Sequence, residues 1–208
     1  MKKIVYAIAC VCCCLLSCQQ ADPYALGSRL EQASKNKQVP RTFEEFIASP
    51  GYRDSRDMWR GSALQQYSPR NSRVEILLRE QRGRLFINGQ IAMDFPICSG
   101  RVGGHETPKG SFRISEKKLE HRSSLYGSFV DADNRIVQGS AKSTDKAPKG
   151  AHFKGALMPY WMRFNDAIGM HVGSVYRSGE SHGCVRVPVE ACEILYKKLA
   201  VGSVVIVK

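Results

Sequence analysis

The chain has 208 residues of which 43% are hydrophobic, enough for one good-sized domain with something smaller beside it, and this excludes a wholly disordered chain. Its formal net charge is +12, from 31 Lys and Arg against 19 Asp and Glu, spread along the whole length. That balance favours an anionic partner such as nucleic acid, a lipid surface or an acidic polymer. No zinc-finger spacing, aromatic RNA-reading motif or Gly-rich phosphate loop is present, so nucleic acid is not expected as the partner.

In chain order, Lys2 and Lys3 precede thirteen uncharged residues, 4–16, and Leu15-Leu16-Ser17-Cys18 then places a small residue before a cysteine. This reads as a bacterial lipoprotein signal peptide over residues 1–17, with Cys18 as the lipidated mature N-terminus. The expected product is exported and membrane-anchored, facing the periplasm or cell wall. A permanent transmembrane helix fits poorly, because thirteen residues at about 1.5 Å each give a helix of about 20 Å against a hydrocarbon core of about 30 Å. A plain signal peptide cleaved elsewhere remains the other reading.

Residues 18–41 are polar, mixed in charge and punctuated by Pro23 and Pro40, as a tether would be. Thr42-Phe43-Glu44-Glu45 fits a capping box opening a short helix that Pro50-Gly51 would close, so residues 42–72 read as a small helical lead-in. From Arg73 the texture becomes β-rich. Residues 74–78 and 84–87 are strand-like, and Asn88-Gly89 between two apolar runs is a strong type I′ hairpin signal. Further strands are expected at 111–114, 135–138 and 168–172, with turns at 100–104 and 107–110. Pro188 starts a helical spacing of Val189, Cys192, Leu195, Tyr196 and Leu199 that ends at Gly202, before a terminal strand at 203–207. Residues 73–208 are therefore expected to be mainly β with one C-terminal helix.

The eight cysteines divide unevenly. Cys10, Cys12, Cys13 and Cys14 lie in the leader, and Cys18 is the expected anchor. Cys98, Cys184 and Cys192 remain, an odd set in an exported chain, so at most one pair can bridge. If Cys98 pairs with Cys192, Cys184 is the spare thiol.

Cys184 also has the richest surroundings. His171 in Ile168-Gly169-Met170-His171-Val172-Gly173 and the run Ser181-His182-Gly183-Cys184-Val185-Arg186 bring two imidazoles, a thiol and a guanidinium into sixteen positions. A thiol near pKa 8.5 needs a neighbouring base or positive charge to become a nucleophile at neutral pH. His182, two residues away, would point the same way in an extended segment. His171 lies thirteen residues upstream, within reach of a strand and return, and Arg186 adds positive potential or holds a carboxylate. Gly183 permits a sharp turn and close substrate approach, as an oxyanion hole of main-chain N–H groups requires.

Blander readings stand beside this one. Cysteine is often a small buried hydrophobe, although the flanking Ser178-Gly179-Glu180 argues for a loop surface. A zinc site of His171, His182 and Cys184 lacks a fourth ligand and the paired spacing of such sites, so no metal and no cofactor is expected. A non-catalytic wall-binding lipoprotein is a third reading. His105, His121 and His152 read as solvated loop histidines, and Trp161 as either a substrate platform or part of an aromatic core hairpin.

The run Ser181-His182-Gly183-Cys184-Val185-Arg186 resembles the signature of the L,D-transpeptidase (YkuD-type) catalytic domain. Phe95-Pro96-Ile97-Cys98-Ser99-Gly100, Thr107-Pro108-Lys109-Gly110-Ser111-Phe112, Met158-Pro159-Tyr160-Trp161 and the His171 segment follow the order and rough spacing of that family. The resemblance covers about residues 73–207 and implies a β-sandwich or barrel-like domain. It implies that Cys184 attacks a peptidoglycan stem tetrapeptide at the L-centre of its diamino acid, releasing D-alanine and forming a thioester. It further implies His171 as the base, His182 and Gly183 as shapers of the oxyanion region, and Arg186 as a substrate-positioning group. The acceptor would be an amine of a second stem peptide or of a wall-attached protein; with water, the enzyme would be an L,D-carboxypeptidase or an amidase. The family usually has a small residue after the first histidine, where its carbonyl or side chain orients the imidazole, and Val172 stands there in this chain.

Overall fold

The computed structural model describes residues 42–68, 70–176 and 178–208. Cys18, the leader and residues 18–41 lie outside the described residues. Among the described residues, no helix is long and apolar enough to cross a membrane.

The lead-in begins with helix α1 (Phe43–Ile47), where Thr42 and Glu45 form the reciprocal capping box its spacing predicts. A 3-10 turn (Tyr52–Asp54), strand β1 (Met58–Trp59) and helix α2 (Gly61–Gln65) follow. Because α1 is only five residues long, packing and not propensity holds it: Phe43 and Phe46 are buried.

Strands β2 (Ser72–Leu77), β3 (Arg82–Ile87) and β4 (Gln90–Pro96) form a meander. Its second turn is the Asn88-Gly89 hairpin, and both residues take the positive φ, 51° and 78°, that a type I′ turn demands. β5 (Gly110–Arg113) and β13 (Val204–Val207) complete a six-stranded sheet of order β1-β4-β3-β2-β13-β5, in which β13 runs parallel to β2. A second sheet holds β6 (Glu116–Lys118), β10 (Trp161–Asn165), β11 (Ile168–Val172) and β12 (Val185–Val187) in the order β12-β11-β10-β6. A third is made of β7 (Arg122–Val130), β8 (Ile136–Lys142) and β9 (His152–Leu157), with β7 central. The architecture is mainly β, and the three sheets stay open, so of the two expected forms the layered one holds and a closed barrel does not.

The core lies between the first two sheets and helix α3 (Val189–Lys198). Val74, Ile76, Leu85, Met93 and Phe95 from the first sheet meet Met162, Met170, Val185 and Val187 from the second, with Ala191, Cys192 and Leu195 of α3 between them. Cys98, Cys184 and Cys192 are all free thiols, so the Cys98–Cys192 bridge does not form.

Candidate active site

β11 and β12 run side by side and parallel, pairing Met170 with Val185, His171 with Arg186 and Val172 with Val187. Side chains alternate along a strand, so this register sorts them into two faces. Met170, Val185 and Val187 are fully buried on the core face. His171 and Arg186 point the other way, and Cys184 immediately precedes β12. His171 and Cys184 line one cavity, and the Cys184 thiol lies 3.9 Å from the Ala167 carbonyl oxygen.

The imidazole is oriented by the chain itself. His171 Nδ1 lies 2.8 Å from the Val172 carbonyl oxygen, which can only accept, so Nδ1 carries the proton and Nε2 keeps its lone pair. The expected departure at Val172 is therefore harmless to orientation. Burial is the main cause that lowers the His171 pKa to about 4, and the Arg186 charge adds to it, so the ring is neutral at physiological pH. Burial raises the Cys184 pKa, while a backbone hydrogen bond from Gly169 and the positive charge of Arg186 oppose that rise. Burial thus favours the neutral form of each group, the thiol of Cys184 and the imidazole of His171.

Residues 181–184 form a turn and not an extended segment, which changes the place of His182. The Ser181 hydroxyl donates to the Cys184 carbonyl and accepts the Gly183 N–H at 3.1 Å. Gly183 has φ +115°, a conformation that favours glycine, and its carbonyl accepts from Thr107 Oγ1 at 2.8 Å. His182 is consequently swung outward, stacked on Tyr126 at 4.1 Å between ring centroids and edge-on to His105 at 4.9 Å. The Gly183 N–H, spent on Ser181, does not face the cavity as an oxyanion donor.

The cavity over this face has a volume of about 1240 Å³. Arg101, Lys142, Arg163 and Arg186 line it against one acidic residue, Asp166. It exceeds the roughly 300–1,000 Å³ of ordinary small-molecule sites and suits an extended anionic ligand. Trp161 forms part of the wall, almost wholly buried, with its indole N–H donated to Glu116 at 3.1 Å and its ring against His121 at 4.6 Å. His105 and His121 line the cavity too, and here the expectation of solvated loop histidines fails for both: each is recruited by an aromatic ring distant in sequence. His152, on β9, is exposed as expected. Tyr126 had no sequence signal, since its strand shows no clean alternation. Among the described residues, no group of three or more His, Cys, Asp or Glu side chains is gathered as a metal site.

A family model described as the L,D-transpeptidase catalytic domain (YkuD) matches residues 71–207. Among solved structures, an L,D-transpeptidase from Mycobacterium smegmatis aligns with TM-score 0.50 and 16% identity over 66% of this chain and 58% of that one, which shows a shared fold. L,D-transpeptidases from Stackebrandtia nassauensis (TM-score 0.49, 22% identity, 69% and 58% covered) and Xylanimonas cellulosilytica (0.49, 21%, 68% and 62%) are also similar. The chain spans about three-fifths of the length of these structures. No curated protein matches it. With its family model covering residues 71–207, the chain belongs to the L,D-transpeptidase (YkuD) catalytic domain family.

Proposed function

We propose that this protein is a peptidoglycan L,D-transpeptidase that works through a thioester on Cys184. The observation that supports the reading is that Cys184, His171 and Arg186 line one large cationic cavity, with His171 and Arg186 paired across the parallel β11–β12 ladder. His171 Nε2, neutral at working pH, takes the thiol proton as Cys184 Sγ attacks the carbonyl carbon at the L-centre of the stem tetrapeptide's diamino acid. The oxyanion is met by the Cys184 N–H, at a turn held by Ser181 and Thr107. His171 then returns its proton to the departing amine, D-alanine leaves, and a thioester remains. An amine acceptor, deprotonated by His171, attacks the thioester carbonyl and restores the thiol. Arg186 and the neighbouring cations attract substrate carboxylates. No step requires a metal or cofactor.

The soluble domain incubated with disaccharide tetrapeptide should yield cross-linked dimer by mass spectrometry, and Cys184→Ala should yield none. Bare tripeptide alone would make the enzyme a carboxypeptidase. No product from the unaltered protein would sink the enzyme reading. A carbapenem should acylate Cys184, and labelling of Cys98 or Cys192 instead would overturn the nucleophile. The exported, lipid-anchored state rests on the leader and on Ser17-Cys18, and Cys18→Ala should abolish lipid labelling of the chain.

A further inference from the structure

The turn between β2 and β3 carries an oddity that the chemistry above does not use. Gln81 has φ 53°, in the left-handed region where Gly or Asn sits at less cost, and it is nevertheless buried. A residue kept there against its backbone preference points to work done by its side chain. That side chain is fully engaged: its amide Nε2 donates to the Leu78 carbonyl at 2.7 Å and to Ser99 Oγ at 2.8 Å, and its Oε1 accepts the Ser99 N–H at 3.0 Å. The Gln81 main-chain carbonyl accepts the Ile97 N–H at 2.9 Å. One residue thus clasps residues 97–99 from both its main chain and its side chain.

Residues 98–101 are the rail on which the nucleophile's turn is mounted. Cys98 and Arg186 exchange both main-chain hydrogen bonds, at 3.0 and 2.9 Å, Ser181 N–H donates to the Ser99 carbonyl at 3.0 Å, and Arg101 N–H donates to the Ser181 carbonyl at 3.1 Å. Ser181 in turn holds both Gly183 and Cys184. The chain of contacts Gln81, Ser99, Ser181, Cys184 is continuous, and each link is a buried or part-buried hydrogen bond.

We infer that Gln81 is a positioning residue: it fixes the 98–101 rail and so sets where Cys184 Sγ lies relative to the Gly169 N–H, Arg186 and His171. Its effect on transpeptidation rests on the function proposed above; its effect on the thiol does not. Gln81→Gly removes the side chain and relieves the φ, and Gln81→Asn tolerates the φ with an amide one methylene too short to reach Ser99. Asn88→Gly, at the other positive-φ turn of the same meander, controls for a turn substitution as such.

Two readouts are taken on each full-length variant at matched thermal stability: the pH profile of Cys184 alkylation by iodoacetamide, and turnover of disaccharide tetrapeptide. Both Gln81 variants should move the alkylation profile to higher pH and lower kcat by at least about tenfold, toward the roughly 100-fold that a 1 Å misplacement costs, with KM within about twofold. Asn88→Gly should leave both readouts as in the unaltered protein. A shifted alkylation profile with an unaltered protein that turns over no tetrapeptide removes the functional reading and keeps the positioning role. Gln81 variants that match the unaltered protein in both readouts, or that lose activity only in proportion to unfolded protein, overturn it.

Discussion

His171 is where residue chemistry meets stability. Its pKa falls from 6.5 to about 4 because burial penalises the imidazolium. Between those values the unfolded chain binds a proton that the folded chain refuses, so the contribution is complete above pH 6.5 and is lost as pH falls through 4. At 1.36 kcal/mol per pH unit this is on the order of 3 kcal/mol. Urea midpoints at pH 7 and pH 4.5 should therefore differ in the unaltered protein, and the difference should shrink in His171→Gln. The same shift places the acid limb of kcat/KM near pH 4 and not near 6.5, because the base need only be neutral. Cys184 moves the opposite way. With its thiol pKa raised by burial, alkylation should climb through alkaline pH without a plateau at neutrality, and Arg186→Gln, which removes the opposing positive charge, should push the climb higher still. A neutral plateau would mean a preformed thiolate–imidazolium pair.

At the scale of elements, local signals were legible and long-range pairings were not. The capping box at Thr42, the Asn88-Gly89 hairpin, the strand at residues 168–172 and the helix behind Pro188 each carry their cause within a few residues. In the third sheet the strand expected at 135–138 overlaps β8, while β7 and β9 carried no signal because much of the sheet is exposed on both faces, as in β8, so alternation is absent. The β11–β12 ladder could not be read either, since parallel strands are joined through a connection that spacing does not describe; hence spacing alone left His171 and His182 equal as partners for Cys184. Tyr126 and His105, which hold His182 aside, come from loops and strands that only the fold brings near. Gly169 shows how tightly the ladder is built: an added Cβ would lie 2.7 Å from the Met162 carbonyl oxygen and 2.8 Å from the Trp161 ring. The carbonyl is backbone and cannot turn away, so Gly169→Ala must shift β11 against β10. It should cost about 1–3 kcal/mol in urea unfolding. Cys184 alkylation should also slow, because the Gly169 bond that favours the thiolate moves with the strand.

Across the whole molecule, the lead-in is bound to the main sheet through a buried charge cluster. Arg82 and Asp94 are both fully buried and paired at 2.7 Å, and Arg84 reaches the second Asp94 oxygen at 2.9 Å. Arg82 also donates to the carbonyls of Ser55 and Arg56, while the Tyr52 hydroxyl donates to Asp94 at 2.7 Å. Two cations and a phenol from different segments thus depend on one carboxylate. Burying such a set gains little over an apolar replacement, but removing one member leaves the others charged and dry. Asp94→Ala should therefore cost about 3–5 kcal/mol, whereas Tyr52→Phe, which deletes a single hydroxyl and leaves both ion pairs in place, should cost about 1–2 kcal/mol. Because β1 pairs with β4 in the sheet that carries Gln81 and the core, loss of the cluster should lower the midpoint of one cooperative transition followed by near-UV circular dichroism and by tryptophan fluorescence. Trp59 lies in the lead-in and Trp161 in the cavity wall, so two separated fluorescence transitions in Asp94→Ala would show instead that the lead-in unfolds on its own and that the cluster is a local latch.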